Sequence, residues 1–489
     1  MFMQVLRRVF SFPVVLAGSL LVLAVLTVQS RLDDPDLWWH LKMGQVIWTT
    51  RAIPASGLFS YTVRNQAIVP QEWLAQVAIY LAYLCGGYSG LMLWLCLLSG
   101  ALVCAAYLLC SLYSGNPKVA FLGAMTVWFF AGIALTIRPQ LIAYVLLVAE
   151  LIFIHLGRTR NPRWFFFLPP LFAVWINCHG SFILGIVVAG VFLFSSLFHF
   201  EIGSLVAQTW DTRSRRMLLP AMILSLAALF LNPGGIRQIL YPFDTLLNMH
   251  LLMADVDEWA PLKMNSPSGV ALLAILLCCF LLPMLRRGIL FWHELLLLAI
   301  GTWLAVSHVR MLVAFGILAA PVLVRQLATF WEGYNFSEDR IWPNAVFLAA
   351  SLIIAFAVFP KESSLEAQVE DQSPVKAVKF LEANRIPGPM LNSYPFGGYL
   401  IWAAPQYPVM MDGRTDLYEW SGFLGEYGSW ATLQSDPRLL LDKYKVSFCL
   451  LTRGSPMAHV LPLLQEWKQI YSDNNSVIFE RTAPAQPVR

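Results

Sequence analysis

Long apolar segments recur along the first 360 residues of this chain, and they constrain its fold more than any other feature. Several extend for 18 residues or more with few charges, which is enough to cross the hydrocarbon core of a bilayer. Charged residues make up only 13% of the 489-residue chain, against about 25% in a typical soluble domain. The sequence therefore predicts an α-helical polytopic membrane protein.

The apolar runs predict about eleven transmembrane helices. Their expected positions are 10–29, 89–112, 118–137, 140–156, 164–176, 181–199, 217–231, 268–284, 289–306, 309–328 and 342–360. The fifth contains Pro169 and Pro170 and is short, so it must tilt, kink or use snorkelling side chains at its ends. No small-residue cleavage site precedes Arg31, which favours an uncleaved first helix over a signal peptide.

The distribution of Lys and Arg predicts the orientation of these helices. Basic residues concentrate in the short segments on the side of the N-terminus, for example Arg213, Arg215 and Arg216. The positive-inside rule then places the N-terminus in the cytoplasm and the C-terminus outside it. Two long loops, 30–88 and 232–267, would be extracytoplasmic, and the first contains two segments that resemble interfacial helices, 36–49 and 72–85.

The chain changes in character after residue 360, so we predict two domains, 1–360 and 361–489. The second begins with a charged, Ser-containing linker, Lys361 to Asp371. Helix-like and strand-like stretches then alternate, which indicates a small extracytoplasmic α/β domain. These stretches are Pro374–Ala383, Met390–Ser393, Val409–Asp412, Pro437–Tyr444, Ser447–Leu451, Pro456–Trp467 and Ser476–Glu480.

Charge and cysteine content exclude two classes of function. The net charge of +4 is small and is not concentrated in one patch, so the chain lacks the electrostatic footprint of a nucleic-acid-binding protein. The eight cysteines include no CxxC pair and make no disulfide framework. Most of them lie inside apolar runs, where cysteine behaves as a small hydrophobic residue.

Acidic residues follow the first predicted span directly. Asp34 is placed to cap a helix whose first residue is Pro35. Asp36 and His40, four residues apart, would then share one face of that helix, and Glu72 lies in the same loop. Carboxylates at a membrane surface can act as a general base or hold a divalent cation. The alternative is a capped interfacial helix with an aromatic anchor.

Further polar residues are predicted on the same side of the membrane. Each alone suits a helix end wetted by lipid headgroups, but together, beside two long loops, they indicate a site. An Arg in this position suits a phosphate or pyrophosphate, and His40, His179, His250 and His308 are metal-ligand candidates without tight spacing. The clustered residues are Arg138, Asn177, His179, Ser181, Asn232, Asp255, Asp257, Glu258, His308 and Arg310.

The last domain contains two candidate turns. Tyr394 to Tyr399 reads as a turn followed by an apolar strand, and Val409 to Asp412 reads as a strand that ends in a polar turn. Asp412 and Arg414 could contact a ligand there, or could pair with each other to fix the turn. The chain contains no Walker loop, no GxGxxG and no GxSxG motif, so their associated chemistries are not indicated.

These stretches together carry a resemblance to the GT-C superfamily of membrane glycosyltransferases. The chain resembles most closely a group of bacterial integral membrane proteins with that layout, whose activity is unassigned. The matching stretches are Asp34-Pro35-Asp36-Leu37-Trp38-Trp39-His40, Ile53-Pro54 with Phe59-Ser60-Tyr61-Thr62, Glu72-Trp73-Leu74, Asn177 with His179-Gly180, Asn232-Pro233, Glu258-Trp259 and Asp412-Gly413-Arg414.

A more distant likeness is to the catalytic subunit of oligosaccharyltransferase. Tyr394 to Tyr399, followed by Val409 to Arg414, falls where that family has a Trp-Trp-Asp-Tyr-Gly motif and a following strand. Here Phe396 and Gly397 stand where the acidic member is needed. The likeness therefore does not imply a protein-Asn acceptor.

The superfamily resemblance implies transfer of a sugar from a polyprenyl-phosphate-linked donor to an extracytoplasmic glycan, lipid or protein acceptor. It implies an aspartate in the first outside loop, Asp34 or Asp36, as base, with His40 and Glu72 as helpers and Arg138 or Arg310 on the donor phosphate. Asn177, His179, Asn232, Glu258, Asp412 and Arg414 are further candidates. A divalent cation, Mg²⁺ or Mn²⁺, would be held by Asp34 and Asp36 if one is used.

The same resemblance implies a multi-pass protein of the bacterial inner (plasma) membrane. Two alternatives remain open at the level of sequence. One is a non-catalytic member of the same fold that binds glycan or assembles a complex. The other is a transporter of lipid-linked sugars, which would need polar groups through the depth of the membrane; Glu150, Glu294 and His293 are the few residues of that kind.

Overall fold

The computed structural model describes residues 2–28, 31–132, 134–248, 257–286, 288–331 and 333–482. The contacts within the chain divide it into two compact units. The first unit consists of Met1–Gln29, Met92–Pro242 and Val256–Phe359, and the second of Ser30–Leu91, Phe243–Asp255 and Pro360–Arg489. One division therefore falls near residue 360, and the first predicted outside loop belongs to the same unit as the C-terminal segment.

Helices dominate the described residues. In chain order the α-helices are α1 Phe2–Val9, α2 Phe12–Val28, α3 Leu37–Thr50, α4 Trp73–Ser114, α5 Pro117–Ala131, α6 Pro139–Thr159, α7 Leu168–Cys178, α8 Phe182–Ser195, α9 Thr212–Ala228, α10 Ile236–Asn248, α11 Pro267–Arg286, α12 Trp292–Ser307, α13 Leu312–Leu327, α14 Ile341–Val358, α15 Glu362–Gln372, α16 Val375–Asn384, α17 Gly397–Ala403, α18 Thr415–Trp420, α19 Phe423–Ala431, α20 Pro437–Lys443 and α21 Pro456–Val460. Short 3₁₀-helices lie at Pro162–Phe167, Asp257–Trp259, Val309–Met311, Ala328–Phe330, Phe336–Glu338, Tyr394–Phe396 and Leu461–Leu463.

Strands form two small sheets. The strands are β1 Phe200–Ile202, β2 Leu205–Ala207, β3 Leu290–Phe291, β4 Met390–Asn392, β5 Phe448–Thr452, β6 Trp467–Ser472 and β7 Ser476–Arg481. The first sheet has the order β1-β2-β3 and lies in the first unit, where the sequence analysis predicted only helices and loops. The second has the order β4-β5-β7-β6 and lies in the second unit.

The described residues contain six helices that are long and apolar enough to cross a membrane. They are Leu6–Val28, Trp73–Ser114, Pro139–Thr159, Pro267–Arg286, Val309–Phe330 and Ile341–Val358. Shorter apolar helices cover Pro117–Ala131, Phe182–Ser195 and Trp292–Ser307. Each predicted span overlaps a helix. The number of helices that cross the membrane, and their orientation, stay predictions.

In the first unit, α5 shows how the sequence sets a helix and its packing. The Asn116 side chain accepts hydrogen bonds from two backbone N–H groups of the first turn, and Pro117 supplies a preset φ at the first helical position. Gly123 lets α13 approach closely, because a Cβ at this glycine would lie 2.4 Å from Cγ1 of Val324. Small residues at such crossings allow tight packing between membrane helices.

The first and last long apolar helices of the first unit, α2 and α14, pack against each other. The backbone N–H of Phe12 donates to Asp339 at 3.1 Å, and the Asn344 side chain donates to the Phe10 carbonyl at 2.7 Å. A Cβ at Gly18 would lie 2.8 Å from Leu348, so this glycine keeps the two helices close. Polar contacts at the helix ends and a small residue at the crossing thus define this pair.

The second unit has an α/β core, as predicted. Strand β4 is parallel to β5, while β7 pairs antiparallel with both β5 and β6. Leu391, Cys449 and Phe479 on these strands are fully buried, and Trp430 of α19 packs into the same apolar cluster. Cys449 therefore contributes to the core as a small hydrophobic residue.

The first outside loop contains the two predicted helices. They are α3 and the first part of α4, which is interrupted by non-helical backbone at Gly86 and Gly87. Gly87 has a φ of 58°, a left-handed conformation that glycine adopts without steric cost. Beyond this break, the Glu362 carboxylate accepts the backbone N–H groups of Tyr88 at 3.1 Å and Ser89 at 2.9 Å. The start of the second half of α4 is therefore capped by a carboxylate.

Three local predictions for the C-terminal segment are wrong. The expected linker Lys361 to Asp371 forms most of α15, and the expected apolar strand after Tyr394 forms helix α17. Val409 to Asp412 is not a strand, although Val409 makes an isolated bridge with Ser60. The Asn392 side chain accepts the backbone N–H of Met410 at 2.9 Å, so an amide side chain replaces a neighbouring strand as hydrogen-bond partner.

Candidate functional site

The acidic segment after the first span adopts a compact turn in the second unit. Asp34 is buried, and its Oδ1 accepts the backbone N–H of Asp36 at 3.0 Å. Helix α3 begins at Leu37, with Asp36 at the N-cap position, so the prediction that Pro35 starts the helix is wrong. The half-buried carboxylate of Asp36 accepts the indole N–H of Trp39 at 3.2 Å. Asp34 thus fixes the backbone that presents Asp36.

Helix α17 packs against the start of α3 and supports this turn. A Cβ at Gly398 would lie 2.3 Å from the Pro35 carbonyl oxygen, so only glycine allows the observed approach. Next to it, the rings of Trp38 and Tyr399 meet edge to face with centroids 5.1 Å apart. The acidic turn is therefore positioned by the segment that the sequence analysis took for a turn and a strand.

His40 and Glu72, the two predicted helpers, lie close together. His40 is buried on α3, and its Nδ1 lies 3.8 Å from Oε2 of Glu72. The side-chain amide of Gln76 lies 3.3 Å from the same ring nitrogen. Glu72 and Gln76 are four residues apart and therefore reach the same neighbour from the start of α4. Gln76 was not singled out from the sequence, although its spacing from Glu72 could have indicated it.

Asp412 and Arg414 form a buried, bidentate ion pair, as one of the two sequence-based interpretations expected. Arg414 donates from Nε at 2.8 Å and from Nη2 at 2.7 Å to the two carboxylate oxygens. The Tyr418 hydroxyl and the Arg414 backbone N–H also donate to this carboxylate, at 2.7 Å and 3.0 Å. Burial alone would raise the pKa of Asp412, but these donors lower it overall.

Gly413, between these two residues, lies directly against the acidic turn. A Cβ at Gly413 would lie 1.9 Å from Oδ1 of Asp36 and 2.9 Å from Nε1 of Trp39. No other residue fits without a shift of the Asp36 carboxylate or of its indole partner. The Asp-Gly-Arg motif therefore shapes the surroundings of Asp36, although nearly 380 positions separate them in the chain.

Arg138 and Glu258 form an ion pair in the first unit. Arg138 occupies the N-cap position of α6 and donates from Nη1 to both oxygens of Glu258, at 3.0 and 3.2 Å. Both side chains are partly exposed, at 24% and 44%. Such a pair exchanges readily with other charged groups because solvent screens it. The N-terminus of a helix, with its positive partial charge, also favours an anion at Arg138.

Arg310 lies beside the same segment of the first unit. Its guanidinium donates to Gln140 at 3.1 Å and stacks over the Trp259 ring at 4.5 Å. Trp259 follows Glu258, and Gln140 is two residues after Arg138, so these contacts bring the two arginines into one neighbourhood. Nε of Arg310 is buried and has no hydrogen-bond partner among the described residues. Gln140 and Trp259 add contacts that the sequence analysis did not predict.

The two candidate asparagines donate to backbone carbonyl groups. Asn177 donates to the carbonyl oxygens of Ala173 and Leu231, at 2.7 and 2.8 Å, and Asn232 donates to the Leu229 carbonyl at 2.6 Å. Asn177 therefore ties α7 to the end of the seventh predicted span, a structural role for a polar residue at a membrane boundary.

The environment of His179 keeps its ring neutral. Its Nδ1 accepts the backbone N–H of Ser181 at 3.1 Å. Burial, together with the positive charge of Arg310, lowers the pKa of His179 to about 3. A neutral imidazole beside the arginine cluster can donate or accept a hydrogen bond but adds no charge at physiological pH.

The described side chains do not form a metal centre. No three His, Cys, Asp or Glu residues in the described ranges come together in a way that could hold an ion. His308 contacts the Trp259 carbonyl through Nδ1 at 2.8 Å, and Asp34 accepts the backbone N–H of Asp36. The candidates His250 and Asp255 lie outside the described residues. The divalent cation at Asp34 and Asp36 stays a prediction.

The candidate residues thus fall into two groups. Those of the second unit are Asp34, Asp36, His40, Glu72, Asp412 and Arg414, and those of the first unit are Arg138, Asn177, His179, Asn232, Glu258 and Arg310. Within each unit the structure brings together residues from separate sequence motifs. The prediction that both groups face one side of the membrane is not tested by these contacts.

Comparison with known proteins gives matches among solved structures. No family model and no curated protein matches the chain. It is similar to ArnT from Cupriavidus metallidurans bound to undecaprenyl phosphate, with a TM-score of 0.53 and 13% identity over 97% of this chain and 99% of that one. It is also similar to the Archaeoglobus fulgidus oligosaccharyltransferase tethered with an acceptor peptide, with a TM-score of 0.53 and 12% identity over 97% and 75%.

The oligosaccharyltransferase AglB from Archaeoglobus fulgidus also matches, in complex with an inhibitory peptide and a dolichol-phosphate. That match has a TM-score of 0.50 and 11% identity, and it covers 89% of this chain and 69% of that one. At this identity the similarity shows the fold. The chain therefore shares a polytopic, GT-C-like fold with these structures and carries a C-terminal α/β segment, which confirms the fold class and the resemblance predicted from sequence.

Proposed function

We propose that this protein is a membrane glycosyltransferase that moves a sugar from a polyprenyl-phosphate-linked donor to an extracytoplasmic acceptor. The observation that supports this most is its similarity to ArnT, which extends over almost the full length of both chains. That structure contains undecaprenyl phosphate, and the archaeal one contains dolichol-phosphate. A shared fold alone does not fix an activity, so the proposal also rests on the local chemistry of two groups of residues.

Asp36 is the proposed general base. Its carboxylate is half-buried, lies at the start of a helix, and is oriented by the Trp39 indole N–H. Asp34 is less suited to this role because it is buried and its Oδ1 already accepts the backbone N–H of Asp36. A general base must reach the proton that it removes, so geometry favours Asp36. Asp34 then acts as a positioning residue, and His40 with Glu72 forms the neighbouring support.

Arg138 and Arg310 are the proposed ligands of the donor phosphate. Two guanidiniums close together, one of them at a helix N-terminus, suit a phosphate because they offer several N–H donors in fixed directions. The Glu258 carboxylate accepts hydrogen bonds from Nη1 of Arg138, one of the groups that would contact the donor phosphate. In the proposed cycle the donor phosphate replaces Glu258 on this guanidinium.

The proposed reaction balances without a bound metal. The acceptor hydroxyl loses its proton to the Asp36 carboxylate as its oxygen forms a bond to the anomeric carbon. The bond between that carbon and the phosphate oxygen breaks, and its electron pair leaves with the polyprenyl phosphate. Positive groups that contact the phosphate stabilise the charge that develops on it. No step is assigned to a cation, because the described side chains do not form a three-ligand set.

The proposal also includes the location of the protein. We place it in the bacterial plasma membrane as a multi-pass protein, with its N-terminus cytoplasmic and its C-terminal segment outside, as the distribution of Lys and Arg indicates. Labelling of single cysteines by a membrane-impermeant reagent tests this topology. A cysteine at exposed Leu463 should react in intact cells, and one at exposed Arg213 should react only after lysis.

A turnover assay tests the activity. The purified chain is mixed with a panel of polyprenyl-phosphate and polyprenyl-pyrophosphate sugars, and release of free lipid phosphate is followed. We expect release with at least one donor, and its loss in the Asp34→Asn, Asp36→Asn double variant. Tight binding without release would indicate a non-catalytic member of the fold, and neither binding nor release across the panel would contradict the proposal.

A further inference from the structure

A cleft in the second unit is lined in part by Trp39 and Glu72, beside the proposed base, and the reaction described above assigns no ligand to it. It has about 520 Å³ of space between atoms, its open mouth included. About 60 Å³ of this admits the centre of a water molecule, room for roughly four waters. Its lining combines apolar residues such as Ile53 with the polar or charged side chains of Glu72, Gln76 and Arg414. A mainly apolar lining with a few polar groups is typical of a small-ligand site.

Arg414, one of the residues that line this cleft, has a guanidinium nitrogen without a hydrogen-bond partner among the described residues. The residue is only 5% exposed, and its Nε and Nη2 are engaged by Asp412. The buried Nη1 has no hydrogen-bond partner among the described residues. A buried N–H group without an acceptor is costly, so such groups mark positions where a water or a ligand oxygen completes the set.

The charges around the cleft argue against an anionic ligand. The positive charge of Arg414 is already balanced by the bidentate contact with Asp412. Two further carboxylates, Glu72 and Asp416, line the cleft. A phosphate or carboxylate would meet these two carboxylates as like charges, whereas a neutral ligand with hydroxyl groups could donate hydrogen bonds to them.

The aromatic and amide residues of the cleft suit a sugar ring. Trp39 and Trp73 present indole rings, and Gln71 and Gln76 present amides that both donate and accept hydrogen bonds. A sugar has an apolar face of C–H groups and an edge of hydroxyls, so it can stack on an indole while its edge contacts amides and carboxylates. The space in the cleft fits one such unit rather than a long glycan.

We propose that this cleft binds one neutral sugar unit of the acceptor, so that the acceptor of this transferase is a glycan or glycoconjugate rather than a bare lipid. This inference rests on the proposed function, because the sugar is an acceptor only if the protein is a transferase. The binding of the sugar itself does not depend on turnover and can be measured alone.

Saturation-transfer NMR on the full chain in detergent micelles tests the site. The probes are methyl glycosides of glucose, galactose, mannose, rhamnose and N-acetylglucosamine, with inorganic phosphate as a competitor. We expect at least one glycoside to bind, and phosphate to leave it in place. Ile53→Trp places a larger side chain in the cleft lining. It should weaken glycoside binding by about tenfold or more, because the ligand loses the contacts of one well-placed group.

A control variant matched to Ile53→Trp and a second substitution in the cleft complete the test. Asn65→Trp adds the same indole at an exposed position of the same loop and should leave binding unchanged. Gln71→Leu, which removes an amide from the rim without touching the Asp412–Arg414 pair, should weaken binding by about tenfold. Binding that survives both Ile53→Trp and Gln71→Leu would overturn the location, and no binding of any glycoside, or displacement by phosphate, would overturn the ligand class.

The two proposals fail in different ways. Asp36→Asn should abolish turnover while the glycoside still binds, because the carboxylate is not part of the cleft lining. Glycoside binding in a protein that shows no turnover with any donor would contradict the proposed function and leave the sugar site standing. Turnover that continues in Ile53→Trp at an unchanged KM for the acceptor would contradict the sugar site alone.

Discussion

Gly413→Ala is the substitution that tests most sharply whether the Asp-Gly-Arg motif shapes the environment of Asp36. The added Cβ would lie 1.9 Å from the Asp36 carboxylate oxygen and 2.9 Å from the Trp39 indole nitrogen. Both distances are far below van der Waals contact. The methyl group must therefore displace the carboxylate, the indole or the backbone of the motif.

The expected magnitude follows from this overlap. Overpacking by one methyl group in a tightly packed region costs about 1–3 kcal/mol. A shift of about 1 Å in a catalytic group can lower the rate by about 10²-fold. We therefore expect Gly413→Ala to lower the thermal midpoint in detergent by a few degrees, at about 2–4 °C per kcal/mol. We expect kcat to fall about 100-fold.

Gly428→Ala is the matched control. Gly428 lies within helix α19 of the same unit, and a Cβ there would meet nothing within 4 Å. Alanine in a helix interior is favoured over glycine by about 0.5–1 kcal/mol, so this variant should be slightly more stable and fully active. If Gly413→Ala matched Gly428→Ala in both stability and turnover, the proposed contact between the motif and Asp36 would be refuted.

Four further predictions concern the ion pairs and the cap. Asp412→Asn should destabilise the protein by about 3–5 kcal/mol, because it leaves the buried charge of Arg414 unpaired; thermal unfolding measures this. Since the pKa of Asp412 is lowered by folding, the stability it adds is present above its ordinary value of 3.8 and is lost as the pH falls through the lowered pKa. Glu362→Gln should weaken the cap of the second half of α4 by about 1 kcal/mol, visible as faster amide exchange at the start of that half. Glu258→Gln should free Arg138 and tighten the binding of undecaprenyl phosphate up to about fivefold, as expected for an exposed ion pair worth up to about 1 kcal/mol.

Controls for these variants lie close to them in the chain. Glu366→Gln removes an exposed carboxylate from the same helix as Glu362 and should leave amide exchange unchanged. Arg138→Gln should weaken undecaprenyl phosphate binding, and combining it with Glu258→Gln should abolish the gain. A gain that persists in the double variant would show that Glu258 acts through another group. A pH profile of unfolding that is the same with and without Asp412 would contradict its assigned role.

The membrane part of the fold could be predicted from sequence because apolar length alone nearly determines it. Each predicted span overlaps a helix, and the two helices of the first loop, α3 and the start of α4, lie where their amphipathic patterns indicated. The break at Gly86 and Gly87 could also be placed, since glycine pairs interrupt helices. Apolar length does not decide which of the shorter apolar helices cross the membrane.

The C-terminal segment was harder because tertiary contacts override local preference there. Val409 to Asp412 has the composition of a strand, but the Asn392 side chain takes the place of a neighbouring strand. Tyr399 and its neighbours read as a strand because the run is short and apolar, yet they form α17, whose glycines allow contact with α3.

The sequence named the candidate residues but not their arrangement. Asp36, Arg414 and Arg138 were all named from residue type and position. That Gly413 faces Asp36 could not be foreseen, because nothing local to the motif specifies a partner so far away in the chain. Gln76 and Gln140 were missed for the opposite reason: uncharged amides give no signal until a buried partner appears beside them.

The turnover of Asp36→Asn, compared with that of Asp33→Asn, tests the central proposal most directly. Asp33 is exposed and lies three positions before Asp36, so both variants remove one negative charge from the same short segment. If Asp36 is the base, its variant should lose about 10²–10⁴-fold in kcat while its affinity for undecaprenyl phosphate stays unchanged, and Asp33→Asn should remain active. Equal turnover in the two variants would contradict the assignment of Asp36 as the base.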